Sequence, residues 1–496
     1  MLKLLNKSPS LGSRHERRGN IYAGADDVSK LPFAGMCHAV MLVRFGRPTG
    51  NPVSYVQRSL SPPLLFPDVV AMRLLRSVFV SAFALTTLSV SVAQTVSETN
   101  PAPWKANPEL VAKKQQSRNN QFNYVEANVP DYQLPDRLVA SNGAKVADAQ
   151  TWYQQRRPEL MELFRTQVYG RRPSTPYKTQ AKVVQTRDNV FGLGASGAQY
   201  TLTIETENGS HSFDFVLFVP QSKQPVPVVV QMNNRKFISL DEADKQPDGF
   251  WSVKRILEAG FATAAFHTSD VDPDRKDGYE QGIRALLDDP DSDEDSRWKA
   301  LSAWGWGASR VLDHLETMPA IDAKRSAIVG HSRGGKSALW TAAEDTRFAI
   351  AYSNNSGCGG AALSRRAYGE TVKRITSSFP HWFCNRFANF SDRESELPVD
   401  QHQLIALVAP RSVYVTSSDQ DLWADPKGEY TSLINAAPVF KLLGLQAIEP
   451  SEMPALDAPR HQGATGYHVR SGAHNLTEQD WVSFLKFAKS RFKQER

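Results

Sequence analysis

The densest chemistry in this sequence sits in seven residues, Gly330-His331-Ser332-Arg333-Gly334-Gly335-Lys336. A serine set in a G-x-S-x-G pattern can serve as a nucleophile when a tight strand-to-helix turn leaves its hydroxyl clear of the backbone. The pattern alone is weak, because a serine-capped glycine turn looks the same. Its flanks strengthen it. Ala327-Ile328-Val329 reads as a buried strand, and Arg333 to Thr346 suits a helix with Ala338, Leu339, Ala342 and Ala343 turned inward. The N–H of residue 333, at the start of that helix, can donate to an oxyanion. The chemistry implied is acyl transfer through Ser332.

A serine hydroxyl needs a base, and the base needs an acid to orient it. On a strand–elbow–helix scaffold the chain order is serine, acid, histidine. Histidines 381, 402, 461, 468 and 474 follow the serine. His474 lies in RSGAHNLTEQDW, a loop before the last helix, where a base can reach over the sheet edge. His468, in GYHV, reads as a strand residue and a buried structural histidine. The acid is expected in SSDQDLWADP, after the strand 411–418. Asp421 has the right distance from the strand end; Asp419 and Asp425 are the competing acids, with turn capping as their plainer role.

Arg333 and Lys336 are unexpected where they stand. A helix start carries positive partial charge, so a cation there is disfavoured by ~0.3–1 kcal/mol. Either both side chains bend away to solvent or to nearby acids, or they face a substrate that develops negative charge. Losing one oxyanion donor typically costs ~2.7–4 kcal/mol of barrier, so the second arrangement outweighs the helix-end penalty.

These groups need a scaffold. A helix is expected over Asp148 to Val168. A hairpin follows, with Tyr200, Leu202 and Ile204 alternating on one strand, Phe213, Phe215 and Leu217 on the next, and Asn208-Gly209 at the turn. Then short apolar strands (226–232, 261–268, 326–330, 348–353, 411–418) alternate with helices around 251–259, 298–317 and from Thr477 onward. That rhythm predicts an α/β fold with a mainly parallel central sheet and helices on both faces.

The chain has 496 residues and a net charge of +6, but the basicity is local. Residues 1–93 hold 11 Lys/Arg against 4 Asp/Glu; the rest holds 47 against 48. A near-neutral body does not favour nucleic acid. Met72-Arg73-Leu74-Leu75-Arg76, the apolar run SVFVSAFALTTLSVSV and the small residues Ser91-Val92-Ala93 form a signal-peptide pattern, too interrupted and short for a membrane anchor. The expected organisation is a spurious or disordered upstream extension over 1–71, with Met72 the true start, a signal peptide over 72–93, an extended arm over 94–135 and one catalytic domain over 136–496. The product would be secreted or periplasmic, and monomeric. Of three cysteines, Cys37 precedes the leader; Cys358 and Cys384 would remain, and an oxidising space permits a disulfide between them. No Cys/His cluster has zinc spacing, and the acyl transfer calls for no metal or cofactor.

GHSRGGKSALW, NSGCGGAALSRR, FPHWF, LPVDQH, DLWADP and RSGAHNLT together resemble the bacterial glucuronoyl esterases, carbohydrate esterase family 15, from about Asn123 to the end. The resemblance implies an α/β-hydrolase fold and cleavage of the ester between a (4-O-methyl-)glucuronic acid of glucuronoxylan and a lignin alcohol. It implies Ser332 as nucleophile, His474 as base, Arg333 as oxyanion donor, and Lys336, Glu370 and Trp423 as sugar-binding residues. One departure stands out. Many members carry a catalytic Glu before S-G-x-G-G, where this chain has Asn355. The acid role then falls to Asp421. The alternatives are an acetyl-xylan or cinnamoyl esterase on the same fold, or an inactive carbohydrate-binding homologue.

Overall fold

The computed structural model describes residues 102–117, 121–243 and 249–494. The extension and leader expected over 1–93 lie outside them. The described residues belong to one compact unit, Thr95–Arg496, built on a ten-stranded sheet. Its strands are β1 (Lys178–Val190), β2 (Ala195–Thr206), β3 (Gly209–Val219), β4 (Val226–Asn233), β5 (Ala262–His267), β6 (Ile321–His331), β7 (Ile350–Asn354), β8 (Ser412–Ser418), β9 (Arg460–Gln462) and β10 (Thr465–Arg470). The spatial order is β1-β2-β3-β5-β4-β6-β7-β8-β10-β9. From β5 through β10 the neighbours run parallel. β1, β2 and β3 form an antiparallel meander at one edge, and β9 closes the other edge antiparallel to β10.

Alternation along the parallel strands divides the core into two layers. Val228, Val230, Ile328, Ala351, Val413 and Val415 face one side, with Leu301, Leu312, Leu339 and Leu404 packed on them. These come from α1 (Ala300–Glu316), α2 (Arg333–Glu344) and α3 (Gln401–Val408). Val229, Ala327, Val329, Tyr352 and Tyr414 face the other side, covered by Ile256 and by Trp481 and Phe484 of α4 (Glu478–Gln494). Because both faces are covered, β4, β7 and β8 are buried along their whole length. This is the α/β-hydrolase arrangement, and the expected strands and helices are present with ends displaced by a few residues.

Two features differ from the expectation. The arm is not extended throughout. It carries a helix, Pro108–Gln116, capped by Asn107, whose Oδ1 accepts from Glu109 N at 2.8 Å and Leu110 N at 3.2 Å. No residue of that helix is buried, so its sequence lacks the apolar stripe by which helices are read. Strand β1 was not expected either. Nearly every side chain on it is exposed, so it shows no alternation; it is held by its backbone ladder to β2.

The topology gathers one set of ends. The parallel strands β4, β5, β6, β7, β8 and β10 terminate at Asn233, His267, His331, Asn354, Ser418 and Arg470. Every candidate functional side chain lies in the segments that follow those ends, where open α/β sheets place their ligands.

Candidate active site

Ser332 follows the last residue of β6 and caps α2 with φ 56° and ψ −123°. A non-glycine residue at positive φ is strained, and such strain persists only where its surroundings fix it. Here the Ser332 N–H donates to the Asn354 carbonyl at 2.8 Å, and the Ser332 carbonyl accepts from Gly335 and Lys336 N–H at 2.9 and 3.1 Å. Gly330 is required by crowding: a Cβ there would stand 2.0 Å from the Gly334 carbonyl oxygen. The turn matches the elbow expected from GHSRGGK.

His474 and Asp421 meet at this elbow. His474 Nδ1 lies 2.5 Å from Asp421 Oδ2, with the Asp421 side chain 7% exposed and that of His474 41%. The tautomer that donates Nδ1–H to the carboxylate leaves Nε2 as a lone pair, the form a general base needs. The imidazole packs against His331, the residue before the nucleophile, with ring centroids 4.4 Å apart. Burial, and then His474 beside it, hold His331 far below its ordinary pKa, so it is neutral; its Nδ1 is paired with Asn354 Oδ1 at 2.6 Å. The His474 loop is fixed from below. Arg470 Nη2 donates to the Ala473 carbonyl at 2.9 Å, and Asp419 Oδ1 accepts from Gly472 N at 2.7 Å.

The other acids and histidines fall into structural places. Asp425 caps a helix, α5 (Pro426–Leu442), accepting from Gly428 N at 2.9 Å, and pairs with Arg366 at 2.8 Å. His468 is a buried strand residue between Asp480 (3.0 Å) and the Tyr414 hydroxyl (2.9 Å). Asn355, at φ 47° just past β7, donates from Nδ2 to Ser418 Oγ at 2.6 Å and toward Asp421 Oδ2 at 3.4 Å. The amide at the departed position therefore supports the carboxylate that remains.

Both cations of the elbow are matched by carboxylates. Arg333 Nε lies 2.6 Å from Asp274 Oδ2, and Nη2 donates to the Asn234 carbonyl at 2.9 Å. Asp274 is itself held by His381 Nε2 at 2.9 Å and Trp382 Nε1 at 2.7 Å. Burial opposes its charge, but His381, Arg333 and Trp382 outweigh it and hold its carboxyl below the usual range. Lys336 is buried. Its ammonium donates to the Ser356 and Cys358 carbonyls and lies 3.5 Å from Glu370 Oε2. The expectation that Lys336 reaches out to sugar oxygens is thus modified: two of its three donors hold the chain after β7, and the third faces Glu370. Burial raises the Glu370 carboxyl, with Lys336 and the Trp423 side chain acting against it. Glu370 N–H donates to the Trp423 carbonyl at 3.0 Å, so these two expected sugar-binding residues are neighbours.

Two groups had no signal in the sequence. Asp274 follows β5 and reaches Arg333 only through the fold. Glu429, fully buried on α5, accepts from Ser356 N (2.7 Å), Gly357 N (2.9 Å) and Ser417 Oγ (2.6 Å). It ties the ends of β7 and β8 together beneath Asp421. Burial pushes its carboxyl up to about 8 despite these donors.

The disulfide allowed between Cys358 and Cys384 is not formed; both are buried free thiols. Cys384 Sγ points to the Thr166 carbonyl at 3.7 Å, and the Cys358 carbonyl is engaged by Lys336. Among the described residues, no group of three or more His, Cys, Asp and Glu could hold a metal ion.

Against known proteins, residues 202–444 match the family model for fungal glucuronyl esterases. A carbohydrate esterase of unknown prokaryotic origin is 37% identical over 418 residues, covering 78% of this chain and 94% of that protein. The structure of a glucuronoyl esterase from Solibacter usitatus is 36% identical and superposes with a TM-score of 0.69, over 74% of this chain and all of that one. A 4-O-methyl-glucuronoyl methylesterase of Podospora anserina is 28% identical over 63% of this chain and 60% of its own length.

Proposed function

The chain belongs to the glucuronoyl esterases of carbohydrate esterase family 15 and is a carboxylic ester hydrolase, and from that premise we propose that Ser332, His474 and Asp421 hydrolyse esters of glucuronic acid by acyl transfer. The observation that carries the reading is the His474–Asp421 pair at 2.5 Å beside the strained Ser332 elbow. His474 Nε2 takes the Ser332 proton as the hydroxyl attacks the ester carbonyl. Negative charge grows on the carbonyl oxygen, where the Arg333 N–H at the helix start and the Arg333 guanidinium supply donors. The alcohol leaves with the proton from His474. Water, activated by the same imidazole, then releases the uronic acid.

The substrate we propose is the ester between a glucuronic acid of glucuronoxylan and a lignin alcohol, with the sugar held between Glu370 and Trp423. The leader pattern at 72–93 supports export to the periplasm or beyond, where that polymer is met. No helix among the described residues is long and apolar enough to cross a membrane. An asparagine at 355, which brings no charge to an imidazolium, is what an inactive carbohydrate-binding homologue would carry; its amide donates toward Asp421, which favours a working acid there. The test is turnover of a benzyl glucuronate ester by the parent and by Ser332→Ala. Loss of all turnover in the variant is expected, and full retained activity overturns the nucleophile. A rate on a matched acetyl ester equal to that on the glucuronate ester overturns the uronate preference.

A further inference from the structure

The arm segment Gln121–Glu126 stands apart in sequence from every group named above, yet its contacts converge on the two loops that carry Glu370 and Trp423. Phe122 meets the Trp423 indole edge to face, with centroids 4.8 Å apart and planes at 81°. The Asn123 carbonyl accepts from Gly369 N–H at 2.8 Å, one residue before Glu370. Tyr124 meets Tyr368 edge to face at 6.0 Å. Glu126 pairs with Arg366 on the first loop and with Lys427, just past the second. The loops also touch each other. Gly369 sits at φ 64°, where a Cβ would lie 2.5 Å from the Trp423 carbonyl oxygen.

We propose that Gln121–Glu126 is part of the uronate-binding apparatus, with Phe122 the positioning residue that sets the Trp423 indole and Asn123 the one that sets the Gly369–Glu370 turn. This rests on the reading of Glu370 and Trp423 as sugar-binding residues. The physical need is plain. Trp423 is only partly buried, and an indole that presents a face to a sugar must be held from another side. Phe122 is itself backed by the Arg374 guanidinium, 6.0 Å from its ring centroid. The clamp is cross-linked at three levels: ring on ring, carbonyl on amide, and carboxylate on two cations. An extended segment docked only for stability has no reason to place all three on the two sugar loops.

The test compares two substrates in Phe122→Ala: a benzyl glucuronate ester and an acetyl ester lacking the sugar. The expected result is a KM for the glucuronate ester raised about two- to tenfold, the weight of one aromatic edge contact, with kcat within twofold. The ratio of kcat/KM between the two substrates falls by the same factor. Phe122→Tyr, which keeps the ring, restores the ratio. Equal losses on both substrates, or a fall in kcat with KM unchanged, overturn the proposal, because a general loosening of the fold would do that. Trp423→Ala separates the two readings. If it raises KM for the glucuronate ester and Phe122→Ala does not, the arm has no part in binding. If Trp423→Ala leaves KM unchanged, the sugar-binding reading fails and the arm proposal falls with it.

Discussion

Replacing Asp421 by asparagine removes one charge and alters little else, which makes it an informative perturbation of the triad. In the parent, His474 Nδ1–H faces Asp421 Oδ2 at 2.5 Å, while Asn355 Nδ2 approaches the same oxygen at 3.4 Å. The introduced amide keeps its oxygen at that position, where His474 Nδ1–H and Asn355 Nδ2 both donate to it, with its NH2 in the place of the other carboxylate oxygen. The imidazole tautomer therefore survives, and the loss is that of the charge opposite the imidazolium. Unit charges 4 Å apart near a protein surface attract by roughly 4 kcal/mol. The His474 side chain is 41% exposed, so water screens part of that. A remaining ~2–4 kcal/mol corresponds to a fall in kcat of about 30- to 1000-fold, smaller than the ~10⁴ expected when the tautomer is lost as well. The assay is steady-state hydrolysis of a benzyl glucuronate ester, with KM expected within threefold of the parent. A kcat within threefold of the parent refutes Asp421 as the charge partner. So does a collapse of turnover in Asp425→Asn at an unchanged melting temperature, since Asp425 is placed to hold a helix start and Arg366.

Asp274→Asn withdraws the charge that orients Arg333, so kcat on the same ester falls about 10- to 100-fold, the range of a weakened oxyanion donor; in an Arg333→Ala background it has no further effect, as a double-mutant cycle reads directly. Glu429 is raised from its ordinary 4.5 to about 8, so its neutral form fits the fold better than its charged form, and the stability it contributes is complete below pH 4.5 and is lost as pH rises to 8. Glu429→Gln, whose environment includes Asp421, Ser417, Ser356 and Gly357, flattens that decline; melting temperatures across pH 4.5 to 8 that keep the parent's slope count against it. Burial raises the thiols of Cys358 and Cys384, so both resist a thiol reagent in the folded protein and react after unfolding, and a reductant leaves the melting temperature unchanged.

Much of the candidate site was legible because its signals are local. Ser332 announced itself through a strand, two glycines and a helix within a short stretch, and His474 through its loop before the final helix. Asp421 could be ranked above Asp419 and Asp425 by distance from the end of β8, and each competitor has the capping or bracing role expected of it. What stayed hidden is what depends on contacts remote in sequence. Asp274 meets Arg333 across 59 residues, and Glu429 reaches Ser356 across 73. The second Asp of DPDR and the Glu of KGEY have no spacing that declares a partner. The helix at Pro108–Gln116 and strand β1 were missed for another reason: both are largely solvated, so neither carries the apolar period that marks an element. Lys336 was placed correctly in the elbow, but its direction depends on the carbonyls of Ser356 and Cys358, which only the fold brings to it.

The cations at the start of α2 can now be weighed together with their partners. A helix start disfavours each cation by ~0.3–1 kcal/mol, and buried ion pairs seldom return more than their desolvation. Stability alone would therefore replace Lys336 and Glu370 by apolar residues. Their presence has a reason in the proposed reaction. The ester that enters is neutral, the tetrahedral intermediate is an anion, and the uronic acid that leaves is an anion as well. An unpaired Arg333 and Lys336 would favour the intermediate, but would hold the product too. With Asp274 beside Arg333 and Glu370 beside Lys336, the site is close to neutral at rest. Arg333 donors aimed by Asp274 can still meet the transient charge at hydrogen-bond range, where orientation counts most. The same carboxylates lower the attraction for a product anion once it has moved away from those donors. On this account the acids beside the elbow set the balance between transition-state stabilisation and product release, and Asp274 belongs to the machinery as much as the arginine it holds.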